Sequence, residues 1–121
     1  MTVINSIADR ADELKGWRRE LHQHPEICYE EVWTSDFVAA KLESFGIEVH
    51  RGMGKTGVVG VLRGNGGSDR AIGLRADIDA LPIQELNQFE HKSKIPGRMH
   101  ACGHDGHTTI CLLYTSPSPR D

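Results

Sequence analysis

Residues 99 to 109 read MHACGHDGHTT, placing three histidines, a cysteine and an aspartate within eleven positions. Thiolate and neutral imidazole are ligands for zinc and the neighbouring transition metals, so the composition alone points to metal chemistry. In extended backbone, residues i and i+2 face the same side. Cys102 and His104 can therefore reach one ion, and Gly103 between them lets the chain bend around it. A lone cysteine or histidine is more often packing or solvated surface. Five candidate donors, His100, Cys102, His104, Asp105 and His107, in eight positions flanked by glycines reverse that preference. A closed structural zinc module would want two C-x₂₋₄-C or H-x₃₋₅-H pairs, and the sequence offers no second pair.

Two further groups could support such a site. Asp77 and Asp79 are spaced i, i+2 and follow an apolar run, where carboxylates orient ligands or balance metal charge. Their plainer role would be to cap backbone amides at a strand end or turn. His22, His24 and Glu26 cluster at HQHPE, where a helix C-terminus by itself favours imidazolium, so the two readings stand level. His50 and His91 lie outside any cluster and read as surface residues. The stretch GMGKTG (52–57) suggests a phosphate loop, but G-x-x-x-x-G-K-[ST] requires glycine where Val49 stands.

The elements that must position these residues follow from periodicity. Ile4, Ile7, Ala11, Leu14, Trp17 and Leu21 form one helical stripe. Ser6 with Asp9 has the form of a capping box, although the stripe suggests a start near Thr2. Pro25 ends this helix with His24 at or just beyond its last turn. A second helix is expected from about Glu30, with Thr34, Phe37, Val38, Lys41, Leu42 and Phe45 inward and Gly46 as its C-terminal cap. IEVHR, GVVGVLRG and RAIGLRAD read as strands, and GNGGSD between the last two supplies a hairpin turn. The expected architecture is α/β, with AIGLRA as a central strand covered on both faces. Its carboxyl end carries DIDALP, so Asp77 and Asp79 sit where α/β sheets gather ligands.

The chain has 121 residues, 38% hydrophobic and 26% charged, with a net charge of −3. That describes one globular domain and gives no electrostatic reason to expect nucleic acid. Three cysteines without C-x-x-C spacing argue against a disulfide framework and for a reducing, cytoplasmic home. No signal peptide and no run of about 18 apolar residues is present, so no membrane association is expected.

WRRELHQHPEICYEE (17–31), IGLRADIDALPIQE (72–85) and GRMHACGHDGHTT (97–109) together resemble the N-terminal signature blocks of the M20 metallopeptidase superfamily, in its amidohydrolase branch. That branch includes hippurate hydrolases, N-acyl-L-amino acid amidohydrolases, N-acetyldiaminopimelate deacetylases and auxin-conjugate hydrolases. The resemblance runs from about residue 5 to about residue 113. It implies the N-terminal part of a three-layer α/β/α catalytic domain: two helices, then a β-hairpin and central strand, incomplete. The implied protein is a cytoplasmic enzyme with two divalent ions (manganese, zinc, cobalt or nickel) that hydrolyses the amide of N-acyl amino acids.

On this resemblance Cys102 and His104 match metal ligands, and Asp77 and Asp79 become supports for them. Asp105 and His107 are further supporting candidates, and His24 and Glu26 match motif positions without an assigned role. No catalytic residue is expected within the 121 residues. The resemblance places the proton-transferring glutamate, further ligands and the lid domain that makes a homodimer in a portion beyond them, so the chain alone is expected to be inactive. Glu30 and Glu31 are adjacent as the family's catalytic glutamates are, but they belong to the N-terminal block. A rival reading is a non-catalytic metal-binding module built on Cys102 and His104. Residues 1–113 are expected to form the partial domain. YTSPSPRD (114–121), with Pro117 and Pro119 where a helix should continue, resembles translated vector sequence and is expected to be a non-native tail.

Overall fold

The computed structural model describes residues 2–117. In chain order these form α1 (Asn5–Ala8), α2 (Ala11–Gln23), α3 (Val32–Ser44), β1 (Glu48–Met53), β2 (Gly57–Val61) and α4 (His104–Thr115). Helices packed against one small antiparallel sheet give the expected α/β class.

The leading stripe breaks in two. Ile4 and Ile7 stay exposed, whereas Trp17 and Leu21 are buried, so the register that pays no packing return before Arg10 yields to a new helix start. Ser6 and Asp9 make no capping box, because Ile4 occupies the N-cap of α1 and Asp9 its C-cap. Ala11 is exposed, and from Leu14 onward the stripe packs inward as expected. Trp17 joins Leu42, Ile47 and Leu112 in the core, so α2, α3, the segment entering β1, and α4 all meet there. His24 is the C-cap of α2, one residue before Pro25.

The start of α3 is capped from a distance. The Glu26 carboxylate accepts hydrogen bonds from the Trp33 amide (2.9 Å), the Thr34 amide (2.7 Å) and the Thr34 hydroxyl (2.7 Å). It thereby satisfies amides that a helix start leaves open and places negative charge at the positive end of the dipole. Gly46, with φ of +77°, follows the C-terminal end as expected.

β1 and β2 pair antiparallel from Glu48 opposite Val61 to Met53 opposite Gly57, with an irregularity between Arg51 and Met53. The hairpin therefore turns at 54–56 rather than at GNGGSD. A Cβ at Gly57 would collide with the Met53 carbonyl, which is why glycine closes this turn. The expected central strand is not formed: residues 71–76 carry no ladder, and Ile72 is 85% exposed. A strand covered on both faces needs neighbours along its edges, and among the described residues none lies beside this one. Isolated bridges fix the backbone further on, Ile27 with Ala80 and Leu81 with Met99.

α4 runs two residues past Leu113. It ends at Thr115, with Ser116 in extended conformation before Pro117, as the residue preceding a proline should be. Ser116 is buried and its hydroxyl accepts a hydrogen bond from Arg10 Nη1 at 2.6 Å. Residues 118–121 of the expected tail, Pro119 among them, lie outside the described residues.

Replacing Glu26 by alanine removes the α3 cap and should cost about 1–2 kcal/mol of folding free energy. Urea unfolding followed by circular dichroism measures it, and a loss under about 0.3 kcal/mol would show that Glu26 does not hold the helix.

Candidate metal centre

α4 opens at His104 after Gly103, whose φ of +85° turns the chain into the helix. Helical spacing divides its first turns into two faces. His104, His107 and Thr108 share one face by i, i+3, i+4 spacing, and Asp105 and Thr109 share another.

The first face meets the segment 77–79. His104 donates from Nδ1 to the Asp79 carboxylate and to the Asp79 carbonyl, each at 2.9 Å. That fixes its tautomer and leaves Nε2 as the free coordinating nitrogen, 3.5 Å from Asp77 Oδ2. His107 donates from Nδ1 to Asp77 Oδ1 at 2.7 Å, and the Thr108 hydroxyl reaches the Asp77 carbonyl at 3.1 Å. Ligand-capable atoms of Asp77, His104 and His107 lie within 4.8 Å of one another. The hydrogen bond from His107 holds the Asp77 carboxyl below its ordinary value, against the opposing effect of burial. Asp77 is therefore an anion between two imidazoles, and its place beside them is that of a donor as much as of a support.

Cys102 is exposed and lies outside this group of three, and none of the three thiols is in a disulfide. His24 stacks on Trp33 with ring centroids 3.9 Å apart and donates to the Glu20 carbonyl, so it lies with the helix end rather than with the imidazole cluster. Glu26 is the α3 cap, but its carbonyl also accepts the Ala80 amide at 2.8 Å, which anchors the chain immediately after Asp79.

The second face of α4 meets α2 in a buried network that the sequence did not announce. Asp105 Oδ2 accepts from Arg18 Nη1 (3.0 Å) and His22 Nδ1 (2.9 Å), and Oδ1 accepts the Gly106 amide (2.9 Å). His22 Nε2 donates to Glu85 at 3.0 Å, and Glu85 also accepts from Asn87 and the Ser93 amide. Both ring nitrogens of His22 donate to carboxylates, so the ring is an imidazolium. The Asp105 hydrogen bond raises its pKa against the opposing effect of burial, and Glu85 adds to the rise. Burial pushes Glu85 up, yet the Ser93 amide, Asn87 and His22 together hold it below its ordinary value. Arg18 and His22 are four residues apart beside the buried stripe of α2, which was the one available signal. Glu85, itself in a loop, carried none, since its partner His22 lies 63 positions away in α2. His100 is also buried, both its ring nitrogens lack a partner among the described residues, and burial pushes its pKa down.

An imidazole oriented by one carboxylate, beside a second imidazole and a second carboxylate on an α/β scaffold, is the donor arrangement of a metal-binding protein. The family described as "Peptidase family M20/M25/M40" matches residues 73–116, which contain all of these donors. The chain is 52% identical to the hippurate hydrolase of Campylobacter jejuni over 113 residues, covering 93% of this chain and 29% of the relative. It is 52% identical over 106 residues to the N-acyl-L-amino acid amidohydrolase of Geobacillus stearothermophilus, covering 84% of this chain and 28% of that one. The solved structure of Bacillus subtilis YxeP, described as a dinuclear metal-binding peptidase from the M20 family, superposes with a TM-score of 0.80. That pair is 41% identical, over 88% of this chain and 32% of the other. Over most of its length the chain is thus similar to members of the M20 peptidase family. It spans under a third of the length of the curated relatives it matches.

The network sets a pH dependence. The folded pKa of His22 is raised above its ordinary 6.5, so the stability it contributes is complete below 6.5 and is lost as pH rises through the raised value. Glu85 is depressed, so its contribution is complete above 4.5 and is lost as pH falls through the lowered value. Melting temperatures measured from about pH 4 to about pH 9 should decline on the alkaline side of the histidine range. His22→Gln should flatten that decline. An unchanged slope in the variant would place its origin elsewhere.

Proposed function

We propose that this chain carries metal-binding residues of a dinuclear amidohydrolase that cleaves the amide bond of small N-acyl amino acids, of the hippurate or N-acetyl amino acid type. The observation that carries the reading is His104, held at Nδ1 by Asp79 so that Nε2 is presented to Asp77 and His107. The names of the Campylobacter and Geobacillus relatives supply the substrate class.

Two divalent ions, manganese, zinc, cobalt or nickel, fit the donor set of imidazole, thiolate and carboxylate. His104 and Cys102 would hold them, with Asp77 and His107 as the additional donors the geometry brings forward. When bound, such ions polarise the acyl carbonyl and make water a stronger acid. The residues of this chain do the positioning: Asp79 fixes the tautomer of His104, Asp105 anchors the helix turn, and Glu26 holds the chain after Asp79. The carboxylate that moves a proton to the leaving amine belongs to a portion outside these residues, as does a lid that would make a homodimer. The 121 residues alone are accordingly inactive, and residues 114–121 are a non-native tail. The cytoplasm, where free thiols persist, is the proposed location. No helix among the described residues is long and apolar enough to cross a membrane.

Cobalt(II) titration tests the reading. The chain should bind cobalt with a thiolate-to-metal absorption band that Cys102→Ser removes. His104→Ala should abolish binding, and Asp79→Ala should weaken it about 10- to 100-fold. A band unaffected by both Cys102→Ser and His104→Ala would refute the assignment. Tight, stoichiometric binding saturated by this chain alone would instead favour the non-catalytic metal-binding module built on Cys102 and His104.

A further inference from the structure

We propose that His22 is a positioning residue for the metal-binding face of α4: through Asp105 it fixes the first turn of the helix, and with it where His104 and His107 present their free nitrogens. The inference rests on the metal reading above. His22 comes from α2, touches neither His104 nor His107 through a hydrogen bond, and lies in a part of the sequence where helix-end histidines need no function.

The geometry supports this in three steps. First, Asp105 is immobilised at both oxygens. Oδ2 is shared by His22 and Arg18, and Oδ1 takes the amide of Gly106, one residue further along its own helix turn. A buried carboxylate bonded at three points cannot move without breaking a charge-assisted bond. Second, Asp105 is the chain neighbour of His104 and lies two residues before His107, so a shift at Asp105 is transmitted within the same helical turn. Third, the opposite face of that turn carries the bonds from His104 to Asp79 and from His107 to Asp77. The turn is clamped between α2 and the Asp77–Asp79 segment, and His22 is the buried element of the α2 jaw. Its side chain is 7% exposed, whereas that of Arg18 is 39% exposed.

The other arm of His22 points elsewhere. Nε2 donates to Glu85, which holds Asn87 and the Ser93 amide, and the stacked rings of Phe89 and His91 lie about 6 Å from the imidazole. This arm ties down the loop 85–93. A purely structural histidine would use both arms alike, whereas a positioning histidine acts on metal affinity through the Nδ1 arm only.

Two substitutions separate the arms. Asparagine places its amide nitrogen near the position of Nδ1 and can keep the Asp105 bond while losing Glu85. Glutamine reaches toward Nε2 and can keep Glu85 while losing Asp105. Cobalt(II) affinity should be within about twofold of wild type in His22→Asn and about tenfold weaker in His22→Gln, the scale of an outer-shell effect. Asp105→Asn, which leaves the Glu85 arm intact, should weaken cobalt binding as His22→Gln does. In the metal-free chain, hydrogen exchange at the Gly106 amide should accelerate about tenfold in His22→Gln and little in His22→Asn.

Equal effects of the two His22 variants on exchange and affinity would overturn the assignment, as would wild-type affinity in Asp105→Asn. The exchange measurement needs no ion. If the wild-type chain takes up no cobalt, the amidohydrolase reading fails by itself, and the difference in exchange between the two variants still decides whether His22 fixes the turn. Should His22→Gln not fold, Asp105→Asn against His22→Asn gives the same comparison.

Discussion

Charge can be buried at tolerable cost only where each ion meets an opposite one and every donor and acceptor is used. At the junction of α2 with the start of α4 this pairing is made by the buried His22, Asp105 and Glu85, with the partly exposed Arg18 beside them. Both nitrogens of His22 are occupied, both oxygens of Asp105 are occupied, and Glu85 adds Asn87 and the Ser93 amide to its bond with His22. Apolar contacts such as that of Trp17 with Leu112 tolerate small rotations of one helix on another. Charge-assisted hydrogen bonds of about 3 Å do not, so the register of α4 on α2 is set by this cluster while the core beneath supplies bulk cohesion.

With α4 fixed, the direction of support at the candidate metal centre is the reverse of that in a complete α/β sheet. There, a buried strand carries residues such as Asp77 and Asp79 at its end, and helices pack on it. Here the segment has no ladder, and the helix holds the segment: His104 takes Asp79, His107 takes Asp77, and Thr108 takes the Asp77 carbonyl. Glu26 contributes from behind by capping α3 with its side chain and accepting the Ala80 amide with its backbone. One residue thus links the start of α3 to the chain just past the site, which accounts for a buried glutamate far from any ligand role.

Periodicity and proline placement made α2, α3 and the hairpin strands legible in the sequence, because each buries a face that its own pattern defines. The same pattern misled at Ile4 and Ile7, where a helical stripe exists but nothing stands opposite to cover it. It misled again at AIGLRA, since an apolar run reports a preference for burial and not the presence of the neighbours that burial needs. At the site, residue type marked the 100–107 cluster and the two aspartates, yet grouping them required geometry. The tautomer of His104 depends on Asp79, 25 positions away, and the proximity of Asp77 to His107 spans 30. His22 stayed ambiguous for the same reason, as only its distant partners distinguish it from His24, which lies two residues on and stacks against Trp33.

The three grouped donors are not equally constrained. His104 and His107 sit on a helix whose turn is clamped from two sides. Asp77 sits where a tethered stretch begins: beyond it Asp79 and Ala80 are bonded, while before it residues 71–76 have no ladder and expose Ile72 and Leu74. Local stability follows buried contacts and backbone bonding, so it falls steeply across Asp77 from its C-terminal to its N-terminal side. Fixing that carboxylate on an ion costs the entropy of the stretch that leads into it. Anything that orders 71–76, whether a strand laid along it or a surface covering its apolar side chains, removes part of that cost in advance. On the proposed metal reading, affinity would therefore be coupled through Asp77 to whatever orders residues 71–76.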